Sequence, residues 1–375
     1  MWENAVSGLA CPRCRGALHT LLDGEGHATP QPSPGASSQP LWIETGLLSC
    51  DICKVIYPVH RGVPILLTYR TKAADLALAS LPKSVGRQLR ERGYQLSSDK
   101  APRGEEFVAT SFSTEWDGYD YGPTLWTAPT ADRLKAFRGE CGLQDRDLDG
   151  KQLCEIGCGL GILTNEAVAL GAEAWGMDLS TSVFRAAAQF KSNPRVHFVQ
   201  GSIFSAPFSP QRFDFVYSHG VLHHTWNTRE AVRRAAELVR AQGTLYVWLY
   251  GYDDVRVSLA RRLTFAVEAL TRPLIARLPS PLATAALLPL APMYQLASYF
   301  GRRSGTHGAT YTPKQALHAA RDRFTPLFAH RHEFDEVTRW LGELGLRDIH
   351  KVSPTDVPPS WAIAIKRNVA IRARR

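Results

Sequence analysis

Several things are scarce in this sequence, and each scarcity excludes a class of protein. Seven cysteines in 375 residues are too few for a disulfide-stapled scaffold. The opening residues, MWENAVSGLACPRC, lack the basic start and apolar run of a secretory signal. Both features predict a cytoplasmic location. No stretch repeats, which removes solenoids and arrays. Lysine is rare, 10 residues against 34 arginines, and the arginines are scattered along the chain. A net charge of +9 permits an anionic partner. Basic and aromatic residues hardly interleave, so nothing beyond charge argues for nucleic acid. The chargeless run from Leu278 to Gly301 is 24 residues long, enough to span a bilayer. Pro279, Pro281, Pro289 and Pro292 interrupt it, which argues against a spanning helix.

What is present is an apolar fraction of 44%, enough for a sizeable core, in a chain long enough for more than one domain. Residues 1–69 open with CPRCRGAL and close with LLSCDICKVIYPVHRGVPILL, around a Pro/Ser-rich loop, GHATPQPSPGASSQP. Residues 70–106 are polar and read as a linker with helical patches. From Lys151, strand and helix patterns alternate: KQLCEI, GILTNEAVALGA, EAWGMDLS, STSVFRAAAQFKS, VHFVQGS, FDFVYSHGVLHH, TREAVRRAAELVRAQ, TLYVWLY. This alternation predicts an α/β fold, a parallel sheet with helices on both faces. Residues 253–303 break the rhythm with Arg-flanked apolar stretches and prolines. EFDEVTRWLGELG then reads as a helix, and RDIHKVSP and SWAIAIKR as two short closing strands.

The densest signal is CEIGCGLGILT, Cys154 to Thr164. It lies between a strand and a helix, where glycines let backbone N–H groups and a helix N-terminus approach a ligand. Cys154 and Cys158 have no Cys-x-x-Cys partner, which argues against a metal there. The order Glu155-x-Gly157-x-Gly159-x-Gly161 differs from the dinucleotide form G-x-G-x-x-G. It resembles the first motif of class I S-adenosylmethionine (SAM) methyltransferases. Further landmarks of that family follow in register. Asp178 ends the second strand, Gly201-Ser202-Ile203 the third, SHGVLHH the fourth, and AQGTLYV leads into the fifth.

The resemblance covers residues 107–250 well and 304–366 moderately. It implies a Rossmann-like class I methyltransferase sheet over residues 107–375 and contact with SAM through Glu155, Gly157, Cys158, Gly159, Gly161, Asp178, Leu179, Ser202, Ile203 and His219. In the family, the acid at Asp178's position grips the ribose. At Ser202's position it often has an acid for the adenine amine, where this chain has a hydroxyl. His224 and His223, at the exit of the fourth strand, are the candidate general bases, or else they pack against cofactor and loop. The motif lacks the Asn/Asp-Pro-Pro-aromatic pattern of base-amino methylation. FSTEWDGYDYG, with Phe112, Trp116, Tyr119 and Tyr121, is either a cover over the cofactor or a core helix. His330, Arg331 and His332 line an acceptor pocket or cap a helix; the second reading is preferred.

Cys11, Cys14, Cys50 and Cys53 form two Cys-x-x-Cys pairs separated by 35 residues. Four thiolates at this spacing suit a closed, structural Zn²⁺ site. CP-x-C, the second pair, YP and G-x-P-x-LL together resemble the small zinc-ribbon proteins that activate tRNA and protein methyltransferases, here fused to the catalytic domain. They also resemble the N-terminal ribbon of some ribosomal-RNA methyltransferases. The insert at 253–303 reads as a helical lid, with peripheral contact to a membrane or lipid-like acceptor as the alternative. The whole predicts a SAM-dependent methyltransferase acting on a small organic acceptor, with O-methylation in specialised-metabolite or cell-envelope biosynthesis favoured. The rivals are an RNA methyltransferase that uses the ribbon for RNA contact and a non-catalytic SAM-binding regulator.

Overall fold

In the computed structural model of the chain, the described residues are 1–21, 42–118, 124–125, 128–144, 146–252, 259–303 and 310–375. The Pro/Ser-rich loop, Tyr119, Tyr121 and the first residues of the insert lie outside them. The N-terminal part carries β1 (His19–Leu21), β2 (Gly46–Cys50), β3 (Val55–His60) and β4 (Val63–Leu66). It continues as α1 (Lys72–Ala79), α2 (Lys83–Glu91) and β5 (Gln95–Leu96). β5 pairs with β3, and Leu78, Leu81, Val85 and Leu89 pack with Leu47 and Ile56, so residues 72–96 lie on the ribbon.

α3 (Glu105–Gly118), a two-residue hairpin pair β6 (Thr124–Leu125) and β7 (Ala128–Pro129), and α4 (Arg133–Cys141) lead into the alternating region. There β8 (Gln152–Ile156), α5 (Ile162–Ala169), β9 (Glu173–Asp178), α6 (Ser182–Gln189), β10 (Val196–Gly201), β11 (Phe213–His219), α7 (Thr228–Leu238) and β12 (Val239–Leu249) follow one another. The insert forms α8 (Leu259–Ile275), α9 (Ser280–Leu287) and α10 (Ala291–Arg303). α11 (Pro313–Phe324), α12 (Phe334–Glu343), β13 (Arg347–Lys351), α13 (Pro359–Arg367) and β14 (Val369–Arg374) close the chain.

The strands join as β4-β10-β9-β8-β11-β12-β14-β13. β10, β9, β8, β11 and β12 are parallel, and β14 is antiparallel to both its neighbours. Helices cover both faces, as the alternation predicts. Leu163, Ala167, Val183 and Phe137 belong to the core on one face. On the other, α7 presents Ala231, Val232, Ala235 and Ala236, one buried stripe at helical spacing.

One closing strand is corrected. SWAIAIKR is helical within α13, and the last strand is VAIRAR. Its run of five apolar residues, Trp361 to Ile365, mimics a buried strand, but Pro358-Pro359 sets up a helix start and fixes φ for the first turn.

Between β10 and β11 stands a single 3-10 turn, Ile203–Ser205, where a doubly wound sheet ordinarily carries a helix. The ribbon covers that ground. Met1, Ala5 and Val6 join Trp175, Phe208 and Phe213 in one core, Ala10 N–H donates to Pro207 O at 2.8 Å, and Arg15 reaches Phe208 O at 2.7 Å. At the sheet edge, β4 adds to β10 in parallel, pairing Ile65 with Gln200 and Leu66 with Gly201. Ribbon and α/β region therefore share both a sheet and a core.

Candidate active site

The glycine loop leaves β8 with Gly157, Gly159 and Gly161 at φ +76°, +53° and +67°. These are left-handed values that side chains rarely adopt. A Cβ on Gly157 would run into Val221, and one on Gly161 into Phe198. Cys158 turns its thiol into the core against Gly176, so it is a packing residue, not a metal ligand. Asp178, at the end of β9, ties the loop down. Gly159 N–H donates to its Oδ2 at 2.8 Å, and Ser180 N–H and Oγ–H donate to its Oδ1 at 2.7 Å each. The Leu179 backbone N–H acts on the same carboxylate, so four donors from the loop and the start of the next turn hold it in place. Leu179 O accepts from Gln200 Nε2.

Glu155 is buried on β8 and accepts from the Thr164 hydroxyl on α5. Burial pushes its pKa up to about 7, against the pull of that hydrogen bond and of Arg133. Burial also raises Asp178, with the Ser180 hydrogen bonds opposing.

At the end of β10 the structure supplies what the sequence lacks. Ser202 Oγ donates to Glu105 Oε1, which reaches over from the first turn of α3. Glu105 is 5% exposed, and its buried carboxyl also faces the Tyr69 hydroxyl, the nearest other group able to donate to it. A carboxylate therefore stands beside Ser202 and Ile203, contributed from 97 residues earlier in the chain. No local motif marks it; a Glu at the start of a helix reads as ordinary helix-end chemistry.

α3 lies over this edge of the sheet. Trp116 sits over the glycine loop, its Cζ2 within 2.9 Å of where a Cβ on Gly159 would stand. Phe112 meets His224 edge-on at 5.1 Å between centroids, and Ser111 donates to Thr325 at 2.8 Å. The aromatic segment, as far as it is described, is thus a covering helix.

The two histidines share a short 3-10 turn, Leu222–His224, after β11, with ring centroids 4.2 Å apart. Phe328 O lies 2.8 Å from His224 Nδ1 and can only accept, so Nδ1 carries the proton and Nε2 offers a lone pair. Burial drives the His224 pKa down to about 3 and that of His223 well below its usual value, so both rings are neutral at pH 7. His223 stacks on Tyr250 at 3.9 Å, and neither ring nitrogen has a hydrogen-bond partner among the described residues. His219 stacks on Trp248 at 4.6 Å and places Nδ1 3.2 Å from Glu140 Oε1.

A buried polar network, invisible as a motif, backs this end. Tyr250 donates to Asp322 at 2.9 Å, Arg331 lies over Phe265 at 3.8 Å, and Glu268 pairs with Arg272, Arg323 and Arg331. Of the three residues read as a helix cap, His332 does sit at the start of α12, 3.2 Å from Glu336. Arg331 instead faces the histidine side, over Tyr250 at 5.1 Å.

The four ribbon thiols converge, all within 4.8 Å of one another. Arg15 and Lys54, each directly after the second cysteine of its pair, adopt φ +65° and +53°, so the two knuckles have the same shape. Gly16 N–H points at Cys14 Sγ from 3.4 Å. Four sulfurs at this spacing fit a tetrahedral zinc ion with no open position.

Comparison with known proteins bears on the two domains. Residues 154–247 match the methyltransferase domain family and residues 9–62 the Trm112p-like protein family. The chain carries a methyltransferase domain preceded by a Trm112-like zinc-ribbon domain. It is 28% identical over 182 residues to a Schizosaccharomyces pombe mitochondrial ubiquinone biosynthesis O-methyltransferase, covering 47% of this chain and 62% of that protein. It is 35% identical over 106 residues to an Idiomarina loihiensis tRNA U34 carboxymethyltransferase, covering 26% and 32%. The chain thus spans less than two thirds of the length of these relatives. A solved complex of the Haloferax volcanii Trm112 methyltransferase activator with a methyltransferase aligns at TM-score 0.39 and 12% identity, covering 73% of this chain and 99% of that one.

Proposed function

We propose that the protein is a SAM-dependent methyltransferase that O-methylates a small organic acceptor. The observation that carries this is the convergence of Glu155, the Gly157–Gly161 loop and Asp178 at the ends of adjacent parallel strands, under the cover of Trp116. In this reading Asp178 accepts from the ribose hydroxyls, Glu155 faces the ammonium side, and Glu105 accepts from the adenine amine in place of the acid that Ser202 replaces. Bound there, SAM supplies a methyl group activated on a sulfonium. The chain supplies orientation and a proton acceptor. His224 enters neutral, its tautomer fixed by Phe328 O, and its Nε2 takes the hydroxyl proton as the acceptor oxygen attacks, against the burial that holds its pKa at about 3 in the chain alone. The relatives named as ubiquinone O-methyltransferases support oxygen as the methylated atom. In the ribbon, Zn²⁺ held by Cys11, Cys14, Cys50 and Cys53 has a structural role, and no chemistry is assigned to it.

An RNA acceptor is the second reading, favoured by the Trm112-like domain and the tRNA-acting relative. Incubation of the purified protein with radiolabelled-methyl SAM and a lysate of its source separates the two. Label in the small-molecule or lipid fraction is expected. Label in RNA overturns the acceptor class, and no turnover despite SAM binding overturns the enzyme reading in favour of a SAM-binding regulator. His224→Gln should lower kcat about a hundredfold or more with SAM affinity unchanged; an unchanged kcat removes His224 as the base.

A further inference from the structure

The insert turns its apolar side outward. On α8 the side chains of Leu259, Leu263, Val267, Leu270 and Leu274 are exposed by 48% to 82%. They recur every three or four residues and so share one face of the helix. The opposite face buries Glu268 and Arg272 and ties Glu268 to Arg323 and Arg331. The usual arrangement is inverted, with charges in and leucines out. α10 likewise exposes Met293, Leu296 and Phe300, while its buried residues are Ala291, Ser298 and Gly301. Twelve of the seventeen large hydrophobic side chains exposed among the described residues fall between 259 and 300. Soluble surfaces scatter such residues singly, whereas a concentration of them marks an interaction site.

The charge of the same segment selects its occupant. Residues 259–303 hold six arginines, no lysine and one carboxylate, Glu268, which is buried. Arg262, Arg277, Arg302 and Arg303 are exposed. Exposed leucines in a segment whose exposed charges are all guanidinium groups complement acyl chains under anionic headgroups. A second copy of the chain meeting this face about a two-fold axis would set arginine against arginine with no acid to pair them. None of the described helices is long and apolar enough to cross a membrane, so the contact is one that lies on the interface. The inner face of α8 also connects to the candidate site, because Arg331, which pairs with Glu268, lies over Tyr250, and Tyr250 stacks on His223.

We propose that α8–α10 dock the protein on an anionic phospholipid surface, with the leucine face of α8 seated at the acyl boundary. The test is flotation of the full-length protein with phosphatidylcholine vesicles that contain or lack phosphatidylglycerol. Binding is expected at least about tenfold tighter with phosphatidylglycerol and should weaken as salt is raised. A Leu263→Glu/Leu270→Glu double variant should lose at least about tenfold in vesicle affinity, and an Arg302→Glu/Arg303→Glu double variant several-fold, with the unfolding temperature of each unchanged. No binding to phosphatidylglycerol vesicles overturns the proposal, as does binding that the leucine variant leaves intact. A dimer in sedimentation analysis that the leucine variant dissolves, without vesicle binding, overturns it in favour of a second copy. The readout involves no methyl transfer, so its failure leaves the proposed reaction standing.

Discussion

Two additions are built onto the same α/β region, a ribbon that extends its sheet and a helical insert, and they treat their apolar side chains in opposite ways. The ribbon buries Leu48, Val55, Tyr57 and Val59 in a core shared with Trp175, Phe208 and Phe213. It pairs β4 with β10 and takes the place of a helix on one face. The insert points the leucines of α8 away from the chain. An addition whose partner lies within the chain closes over its apolar face. One whose partner lies outside keeps that face open. The candidate site lies between the two: Glu105 and Ser202 adjoin the ribbon, and His223 and Tyr250 adjoin the insert.

If the ribbon is integral, dismantling it should have the largest effect. Cys11→Ser combined with Cys50→Ser should abolish a zinc content of about one ion per chain and lower the unfolding temperature by about 10 °C or more, because the metal fixes residues that line the sheet's own core. Metal analysis and thermal unfolding check this. An unfolding temperature within about 2 °C of the parent would break the comparison, since the ribbon would then be as separable as the leucine face.

Within the cofactor half, Gly157→Ala is expected to reduce SAM affinity by about a hundredfold or more. It combines a left-handed φ of +76° with a collision against Val221. Gly342→Ala is the control. That glycine lies in α12 with nothing near its Cβ position, and alanine there should raise stability by up to about 1 kcal/mol. Calorimetric titration with SAM reads the first and thermal unfolding the second. An affinity for Gly157→Ala within about threefold of the parent would remove the loop from the cofactor site.

These effects track what was legible in the sequence. Strand, glycine turn and helix are local events, so the order of β8 to β12, the loop and Asp178 could all be read from residues near one another. SWAIAIKR could not, because a run of five apolar residues fits a buried strand as well as a helix, and only the two prolines before it decide. Glu105, Asp322 and Glu268 were illegible for another reason. Their significance arises from packing between elements far apart in the chain, such as the meeting of α3 with the end of β10. The leucine face of α8 was half legible: its composition showed, but only the fold tells which way it points.

A smaller effect follows from Glu155. A protonated carboxyl cannot pair with the ammonium group of the cofactor, and burial lifts this pKa from the ordinary carboxylate range to about 7. Above that value Glu155 is ionised and SAM affinity should be flat. Below it affinity should fall, approaching about tenfold per pH unit. Titrations between pH 8 and 5.5 would show this, and Glu155→Gln should weaken binding at pH 8 and flatten the profile. An affinity independent of pH in the parent protein would remove Glu155 from the ammonium side.

The smallest effect sharpens the comparison most, because it lies where ribbon and sheet meet. Glu105→Gln keeps an oxygen to accept from Ser202 but replaces the other carboxylate oxygen, on the side that also meets the Tyr69 hydroxyl, by an NH₂ donor. A donor facing the adenine amine loses one hydrogen bond and adds a repulsion, about 1–1.5 kcal/mol together, or roughly tenfold in SAM affinity. The S-inosyl analogue, whose purine carries an oxygen acceptor at that position, should bind the variant better than the parent. Calorimetry with both ligands on both proteins forms a cycle whose coupling energy belongs to the purine contact alone. A general loosening of α3 would weaken both ligands equally and give no coupling. A reversal of preference would mean that the acid missing from the end of β10 has been supplied by the helix that covers it.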